Sequence, residues 1–455
     1  MRVRYRAQHP WWGRGIHLVR MLPEAQILDQ GSNWDLDIEV KEDRQAVTIT
    51  TTGKDIYDQT SVSAERMAFL HALFNMLSKI KGEPLSPWGV STGIRPGKLA
   101  AELMVNDREE AVTELCHRWL MTPAKAQLLT ATVANGYPLL QNKGLSIYIS
   151  VPFCPSRCHY CSFASLPLAI WQRHLPRYVG QVARELAELL QSCQQLGYAV
   201  NSIYVGGGTP TALPPDLLAE MLAPAAHPGC EFTVEAGRPD TLTRDHISAL
   251  EDVGVTRVSV NAQYPVAETL AAIGRQHSVQ EFYTALDWAL NSKIDIVNSD
   301  LIIGLPGETV QGFTGVLNTL AQAGVQNITL HALALKRGAK IHSHYLDPAL
   351  AQEIAQAAYV WLDKEGYLPY YLYRQKNIAS NLENVGFALP DSFCYYNIAS
   401  IAEAEPVLGV GAGAVSKLVN GDGVELLNNP RDPNQYLQRR SSLVLRKLDW
   451  LSSNS

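Results

Sequence analysis

The strongest constraint on the fold is a regular alternation of β-rich runs and amphipathic helical stretches in the middle of the chain. Six runs rich in apolar and β-branched residues follow one another, and each pair is separated by a segment with helical periodicity. This order predicts parallel βα units, arranged either as a barrel or as an open sheet. The predicted strands are Leu145–Val151, Ser202–Val205, Glu231–Glu235, Arg257–Asn261, Ile294–Ile303 and Asn327–Leu333.

Polar and glycine-rich residues stand at or near the ends of these strands. Active sites of βα barrels form at the carboxyl ends of the strands, so this placement favours a barrel with its site at one end. The first predicted strand is followed by cysteines and the second by the glycine-rich run Gly206–Pro210. The later strands contribute Glu235, Asn261, Gln263, Asp300, His331 and Ala334.

The most specific motif is a group of three cysteines, Cys154, Cys158 and Cys161. A cubane of four irons normally takes four thiolates, so a group of three leaves one iron open for chemistry. The spacing is similar to that of radical S-adenosylmethionine enzymes, in which the cosubstrate chelates the open iron. A zinc site and plain buried thiols are the alternatives. Zinc sites usually bring close to four ligands in paired motifs. The nearby His159 lies between two of the cysteines, where the local geometry is cramped for a further ligand.

Composition and charge are those of a large soluble enzyme. The chain has 455 residues, of which 46% are hydrophobic, and a net charge of −6 without a basic tract, which argues against nucleic acid as a partner. No apolar stretch of signal-peptide length follows the N-terminus, and no segment approaches a membrane span. The four remaining cysteines are scattered, as is typical of a reducing compartment. We therefore expect a cytoplasmic protein.

Three regions are predicted along the chain. Residues 1–142 form a small α+β domain of unknown role, with a hairpin over 36–50 followed by helices near 63–81, 99–104, 108–120 and 123–135. Its run Thr92–Lys98 is basic and bears glycine, which suits either an anion or partner site or, more simply, the turn that starts a helix. Residues 143–345 form the barrel, and residues 346–455 a C-terminal region of mixed α/β character.

Each strand-end residue has a chemical use and a structural alternative. Three consecutive glycines let backbone approach a ligand, although glycine-rich turns are common. Glu235 lies in an apolar strand and needs a cation there, which is either an α-amino group or an arginine. Asp300 suits a ribose hydroxyl or the cap of the adjacent loop. Arg275 suits a carboxylate or plain solvation, and Tyr148 suits a ligand ring or core packing.

Together these motifs resemble the radical S-adenosylmethionine superfamily, and within it the coproporphyrinogen dehydrogenase branch of HemZ type. The resemblance implies a partial (β/α)6 TIM-like barrel and covers nearly the whole chain. In the barrel it rests on Tyr148-x-x-x-Pro-Phe-Cys154, Cys158-x-Tyr-Cys161, GGGTPT at 206–211, VEA at 234–236 and DLIIGLPGE at 300–308. Elsewhere it rests on Thr92–Lys98, His331–Arg337 and Pro369–Asn377.

The resemblance implies a [4Fe-4S] cluster on the three cysteines and S-adenosylmethionine as cosubstrate. In the family an adenosyl radical takes hydrogen from the β-carbon of a propionate, carbon dioxide leaves, and an electron passes to an acceptor. Two propionates of coproporphyrinogen III become vinyls of protoporphyrinogen IX. Implied partners are this tetrapyrrole, an electron donor such as a flavodoxin or ferredoxin, and an unidentified acceptor. The implied cosubstrate residues are Tyr148, Tyr160, Gly207, Gly208, Thr209, Glu235, Gln263, Arg275, Asp300 and Ala334.

A substrate with four carboxylates around an apolar macrocycle requires cations at the rim of the pocket and flat side chains within it. The candidate propionate contacts are Lys336, Arg337, Arg374 and Lys376, and the last two lie beside the tyrosine-rich run Tyr367, Tyr370, Tyr371 and Tyr373. The C-terminal region 346–455 is accordingly expected to cover the substrate.

Two departures from the family pattern keep other functions open. The best-known dehydrogenases have histidine where this chain has Ser150 and a further cysteine where it has Phe163. They also bind a second S-adenosylmethionine. Relatives with similar cluster motifs bind heme and hand it to other proteins, and some open the heme ring. A heme-trafficking protein, or a radical enzyme that acts on another substrate, is therefore the alternative.

Overall fold

The structure, a computed structural model, divides the chain into two compact units, Met1–Val133 and Ala134–Ser455. None of the helices described combines the length and the apolar character that crossing a bilayer requires. The structure describes residues 1–7, 15–22, 25–28, 34–43, 46–54, 56–105, 107–141, 144–161, 165–226, 229–334, 347–375, 378, 381–420 and 423–454.

The first unit contains a five-stranded sheet in the order β2-β1-β3-β4-β5. The predicted hairpin is confirmed, because β3 and β4 pair antiparallel with Val40 opposite Ile49. Both of these side chains are fully buried, so alternate residues of the hairpin supply the core of the unit. The strands are β1 (Arg2–Ala7), β2 (Gln26–Leu28), β3 (Leu36–Asp43), β4 (Ala46–Gly53) and β5 (Tyr57–Ser63).

The helices near this sheet begin and end where local capping predicts. Asp107 accepts hydrogen bonds from the backbone N–H groups of Glu109 and Glu110, which starts one helix. Pro96 is the first residue of another, so the run Thr92–Lys98 includes a helix start. The helices are α1 (Ile16–Val19), α2 (Arg66–Lys81), α3 (Pro96–Leu103), α4 (Arg108–His117) and α5 (Pro123–Gly136).

The second unit contains the predicted parallel strands, and they pair in the order of the chain. The strands β6, β9, β10, β11, β12 and β13 are successive parallel neighbours. Two short strands, β7 and β8, form a separate parallel pair beside them. Their bounds are β6 (Leu145–Val151), β7 (Phe153–Cys154), β8 (Leu166–Pro167), β9 (Val200–Gly207), β10 (Glu231–Glu235), β11 (Arg257–Ser259), β12 (Ile296–Ile303) and β13 (Asn327–Ala332).

The C-terminal strands extend this sheet at both edges. At one edge β13 pairs antiparallel with β15, and β14 lies outside it. At the other edge β6 pairs parallel with β16, which is followed by the antiparallel strands β17 and β18. The six predicted strands therefore form a partial, unclosed barrel, which β16 extends by a further parallel strand, and the predicted C-terminal region belongs to the same unit. The added strands are β14 (Leu368–Tyr373), β15 (Asn384–Ala388), β16 (Val407–Val410), β17 (Val415–Asn420) and β18 (Gly423–Asn428).

Helices connect these strands, and polar caps start several of them. The side chains of Thr243 and Thr309 accept backbone N–H groups, and Ser278 forms a capping box with Glu281. The helices are α6 (Leu168–Trp171), α7 (Leu175–Gln195), α8 (Pro215–Leu222), α9 (Arg244–Asp252), α10 (Ala267–Ala272), α11 (Val279–Leu290), α12 (Val310–Ala323), α13 (Pro348–Lys364), α14 (Tyr395–Ala402) and α15 (Pro433–Ser453).

Candidate active site

A cavity of about 650 Å³ lies at the carboxyl ends of the parallel strands. The topology brings there every residue that the sequence predicts for the cluster and the cosubstrate, although these residues span nearly two hundred positions of the chain. They are Tyr148, Cys154, Cys158, Tyr160, Cys161, Gly207, Gly208, Thr209, Glu235, Gln263, Arg275, Asp300 and Ala334.

The three cysteines belong to one loop at the end of the first barrel strand. Cys154 is the last residue of β7, and Cys161 donates its backbone N–H to the carbonyl of Cys158 at 3.2 Å. All three thiols are partly exposed and line the cavity. The intervening His159 contacts the carbonyl of Ala272 at 2.9 Å through Nδ1 and does not line the cavity. The loop therefore presents thiols to the cavity and uses its histidine for anchoring.

The surroundings of the thiols fit a cluster bound by three thiolates. A Cβ at Gly208 would lie 3.0 Å from the sulfur of Cys154, so the glycine leaves the space that this loop needs. Burial raises the pKa of the Cys154 thiol, and iron would displace its proton. In the described part of the chain, no group of three or more histidine, cysteine or acidic side chains is arranged to hold a single metal ion. A cubane does not require that arrangement, because each thiolate binds a different iron.

Glu235 and Asp300 place two carboxyl groups in the same cavity. The hydroxyl of Tyr204 donates to Oε1 of Glu235 at 2.6 Å, and Asp300 Oδ2 lies 3.7 Å from Nε2 of His331. Burial raises the pKa of Glu235 to about 7, and the negative charge of Asp300 acts in the same direction. A Cβ at Gly206 would lie 3.0 Å from the Glu235 carboxyl group, so this glycine permits the close approach. A ligand with an amino group would relieve the repulsion.

Arg275 supplies a buried guanidinium, whose positive charge is opposite in sign to the two acidic groups. Nη1 donates to the carbonyl of Asn261 at 2.8 Å, and Nη2 to the hydroxyl of Tyr160 at 3.2 Å. Its buried Nε has no hydrogen-bond partner within the described chain. Gln263, which follows β11, has a φ of 60°. Its β-bridge to Leu301 joins the segment after β11 to β12. The cavity thus contains a fixed cation, Arg275, suited to a carboxylate and two acids suited to an amine or hydroxyls.

Comparison with known proteins decides the family. A profile of the Radical SAM superfamily matches residues 148–320. The oxygen-independent coproporphyrinogen-III oxidase-like protein HemZ of Bacillus subtilis is 35% identical over 386 residues, which cover 80% of this chain and 77% of that protein. This chain belongs to the HemZ-type radical SAM family. A [4Fe-4S] cluster and S-adenosylmethionine are the cofactors of that family, as the sequence predicts.

Two further similarities place this radical SAM protein among its relatives. The heme chaperone HemW of Escherichia coli is 27% identical over 306 residues, which cover 65% of this chain and 76% of that protein. The solved structure of coproporphyrinogen III oxidase, HemN, from Escherichia coli superposes with a TM-score of 0.53 at 21% identity. That superposition covers 66% of this chain and 70% of HemN, and it shows that the two share the fold.

The predicted substrate residues of this radical SAM protein are placed less clearly. Lys336, Arg337 and Lys376 lie outside the described residues. Arg374 is buried and does not line the cavity. Burial lowers the pKa of Arg374 to about 10, although the negative charge of Glu383 acts to raise it. Its position therefore does not support a propionate contact. Of the predicted tyrosines, Tyr371 and Tyr373 line the cavity, whereas Tyr367 and Tyr370 hydrogen-bond to core residues instead.

Several lining residues of the radical SAM site were not predicted. Tyr204 and Tyr396 stack with ring centroids 4.5 Å apart, and Tyr148 stacks on both at 6.2 and 6.1 Å. Tyr204 precedes the glycine run in a strand whose side chains alternate, which was a usable signal. Tyr396 comes from α14, far along the chain, and no local pattern indicates it. Arg238, which follows β10, also lines the cavity.

Proposed function

We propose that this protein catalyses the oxygen-independent oxidative decarboxylation of two propionates of coproporphyrinogen III, giving the vinyl groups of protoporphyrinogen IX. The observation that carries the proposal is one cavity that joins the cluster cysteines to a wall of flat side chains, Tyr371, Tyr373 and Tyr396. Flat aromatic side chains suit the apolar pyrrole rings of a tetrapyrrole macrocycle. The HemZ relative is described as a coproporphyrinogen-III oxidase-like protein, which supports the same substrate class.

In this proposal the polar residues bind and orient the cosubstrate. Glu235 takes the amino group, Arg275 the carboxylate and Asp300 the ribose hydroxyls, in accordance with their charges. Cys154, Cys158 and Cys161 hold the cluster. Once bound, the cluster and S-adenosylmethionine together supply the radical that removes hydrogen from the substrate. The protein contributes binding, orientation and exclusion of water from that step.

The substrate side of the cavity also has polar groups that suit propionates. His331 lines the cavity, and its Nδ1 lies 3.4 Å from the hydroxyl of Tyr373. Gln375 and Asn384 line the same region. These groups can hydrogen-bond a carboxylate at the edge of the ring, and Lys336, Arg337 and Lys376 remain predicted cationic contacts. The covering role of residues 346–455 also stays a prediction, supported by the lining residues of β14 and α14.

Heme binding without decarboxylation is the second candidate. It is supported by the chaperone relatives, among which HemW of Bacillus subtilis is 29% identical over 198 residues. An anaerobic assay of the cluster-reconstituted protein with coproporphyrinogen III, S-adenosylmethionine, a strong reductant and an electron acceptor distinguishes the two. We expect protoporphyrinogen that depends on S-adenosylmethionine. Stoichiometric heme binding with no tetrapyrrole product would favour the chaperone function instead.

The charge of Glu235 should make cosubstrate affinity depend on pH. Its pKa of about 7 means that the carboxylate, which accepts hydrogen bonds from the amino group, is lost as the pH falls. The apparent Kd for S-adenosylmethionine should therefore rise about tenfold between pH 8 and pH 6. Glu235→Gln should bind more weakly and without this slope. Isothermal titration of the anaerobic, reconstituted protein measures both.

Glu308 provides the matched control for this prediction. Burial raises its pKa to about 8, but its carboxyl group accepts the backbone N–H of Gly304 and does not line the cavity. Glu308→Gln should therefore retain the slope. A wild-type affinity that does not change with pH, or a slope that persists in Glu235→Gln, would contradict the assignment of the amino group to Glu235.

A further inference from the structure

A buried arginine connects the end of β10 to the cysteine loop. Arg238 is 4% exposed, and its Nη1 lies 3.7 Å from the sulfur of Cys158. The same Nη1 donates to the carbonyl of Ser156 at 3.1 Å and to its hydroxyl at 2.9 Å. One nitrogen therefore contacts both the loop backbone and a sulfur that the family assigns to the cluster.

An acidic partner fixes the orientation of this guanidinium. Nε and Nη2 of Arg238 donate to the two carboxylate oxygens of Asp240 at 2.9 and 2.6 Å, a bidentate pair. The pairing occupies the far side of the fork and leaves Nη1 directed toward the cysteine loop. A positive charge is thus held next to the sulfur, and the compensating negative charge lies on the side away from it.

This arrangement has a direct electrostatic consequence for a cluster on these cysteines. Reduction adds one negative charge to the cluster, and hydrogen bonds to its sulfurs and nearby net charge set its potential. A cation beside Cys158 stabilises the reduced state more than the oxidised one, because the reduced cluster carries one more negative charge. Burial increases this effect, because it limits screening by water. We propose that Arg238 is a positioning residue that raises the reduction potential of the cluster, with Asp240 holding it in place and partly offsetting its charge.

The test is a redox titration of the reconstituted protein, without substrate, followed by the electron paramagnetic resonance signal of the reduced cluster. Arg238→Gln should lower the reduction potential of the cluster by about 59 mV for one electron. This shift corresponds to an about tenfold smaller ratio of reduced to oxidised cluster at a fixed solution potential. Arg238→Lys keeps the charge but not the fork, and should fall between Arg238→Gln and the wild type. Asp240→Asn should raise the potential, since Ser156 still holds Nη1.

Arg157 is the matched control, because it lies in the same loop but is exposed, and its guanidinium donates to the carbonyl of Cys161 at 3.4 Å. Arg157→Gln should leave the potential close to that of the wild type. The opposite signs of the Arg238 and Asp240 variants are the signature of a charge effect, which a purely structural role would not produce. Shifts of the same sign, or a wild-type potential in Arg238→Gln with full iron content, would overturn the proposal. If Arg238→Gln binds too little iron to be measured, a potential of Asp240→Asn at or below that of the wild type overturns the proposal.

Discussion

Cys158→Ser should lower the iron content of the reconstituted protein and reduce the cleavage of S-adenosylmethionine to 5′-deoxyadenosine by more than about 100-fold. Changes in outer-shell partners already cost 10–100-fold in metal affinity or activity, and a direct ligand has a larger effect. A serine oxygen is a poor replacement for a thiolate at iron, and the two remaining cysteines leave a second iron without a protein ligand. Iron analysis and chromatography of deoxyadenosine measure the two effects.

Cys116→Ser is the appropriate control for that experiment. Cys116 is also a free and partly exposed thiol, but it lies in α4 of the first unit and does not line the cavity. We expect wild-type iron content and cleavage in this variant. Retention of both properties by Cys158→Ser would show that the three-cysteine loop is not the cluster site.

Lys447→Met should destabilise the second unit by about 3–5 kcal/mol, the usual cost of removing one member of a buried ion pair. Lys447 and Glu185 have fully buried side chains, and Nζ lies 2.5 Å from Oε1. Nζ also donates to the carbonyl of Gly409, and the hydroxyl of Tyr436 donates to Glu185. Without Lys447, the carboxylate of Glu185 remains buried between α7 and α15 with no cation. Thermal unfolding followed by circular dichroism should show a clear fall in Tm.

Two further variants separate the cost of an unpaired charge from the loss of packing. The double change Glu185→Leu with Lys447→Met removes both charges and should be more stable than Lys447→Met alone. Arg440 and Glu188 join the same two helices through a partly exposed pair at 2.9 Å, and Arg440→Ala should cost less than about 1 kcal/mol. A double variant less stable than Lys447→Met alone would contradict this account of the pair.

Features that depend on local sequence were predicted well. The bounds of β6 and β10 agree with the predicted strands, because alternation, β-branched residues and flanking turns specify a parallel strand over a few positions. The residues that the family resemblance implies for the cluster and the cosubstrate line one cavity, because most of them stand at or near a strand end, where the barrel topology brings them together. A charged residue in an apolar strand, as with Glu235, was a particularly clear signal.

Features that depend on distant contacts could not be predicted in the same way. The stacking of Tyr396 on Tyr148 joins residues on α14 and β6, and no periodicity within either segment indicates it. The contact between Arg238 and Cys158 depends on how the end of β10 faces the cysteine loop. Arg374 was chosen because it lies beside the tyrosine-rich run, and the structure shows that Tyr373 and Gln375 on either side of it line the cavity whereas Arg374 does not. Side chains alternate along an extended segment, so the neighbour between them faces elsewhere.

The proposed reaction requires that this cavity bring a propionate side chain to the radical chemistry of the cluster and cosubstrate. This requirement can be tested with coproporphyrinogen III that carries deuterium at the β-carbons of its propionates, in the anaerobic assay with the reconstituted protein. We expect deuterium in the 5′-deoxyadenosine together with protoporphyrinogen. Deoxyadenosine without deuterium, or no deoxyadenosine above that of the substrate-free reaction, would contradict the proposed reaction.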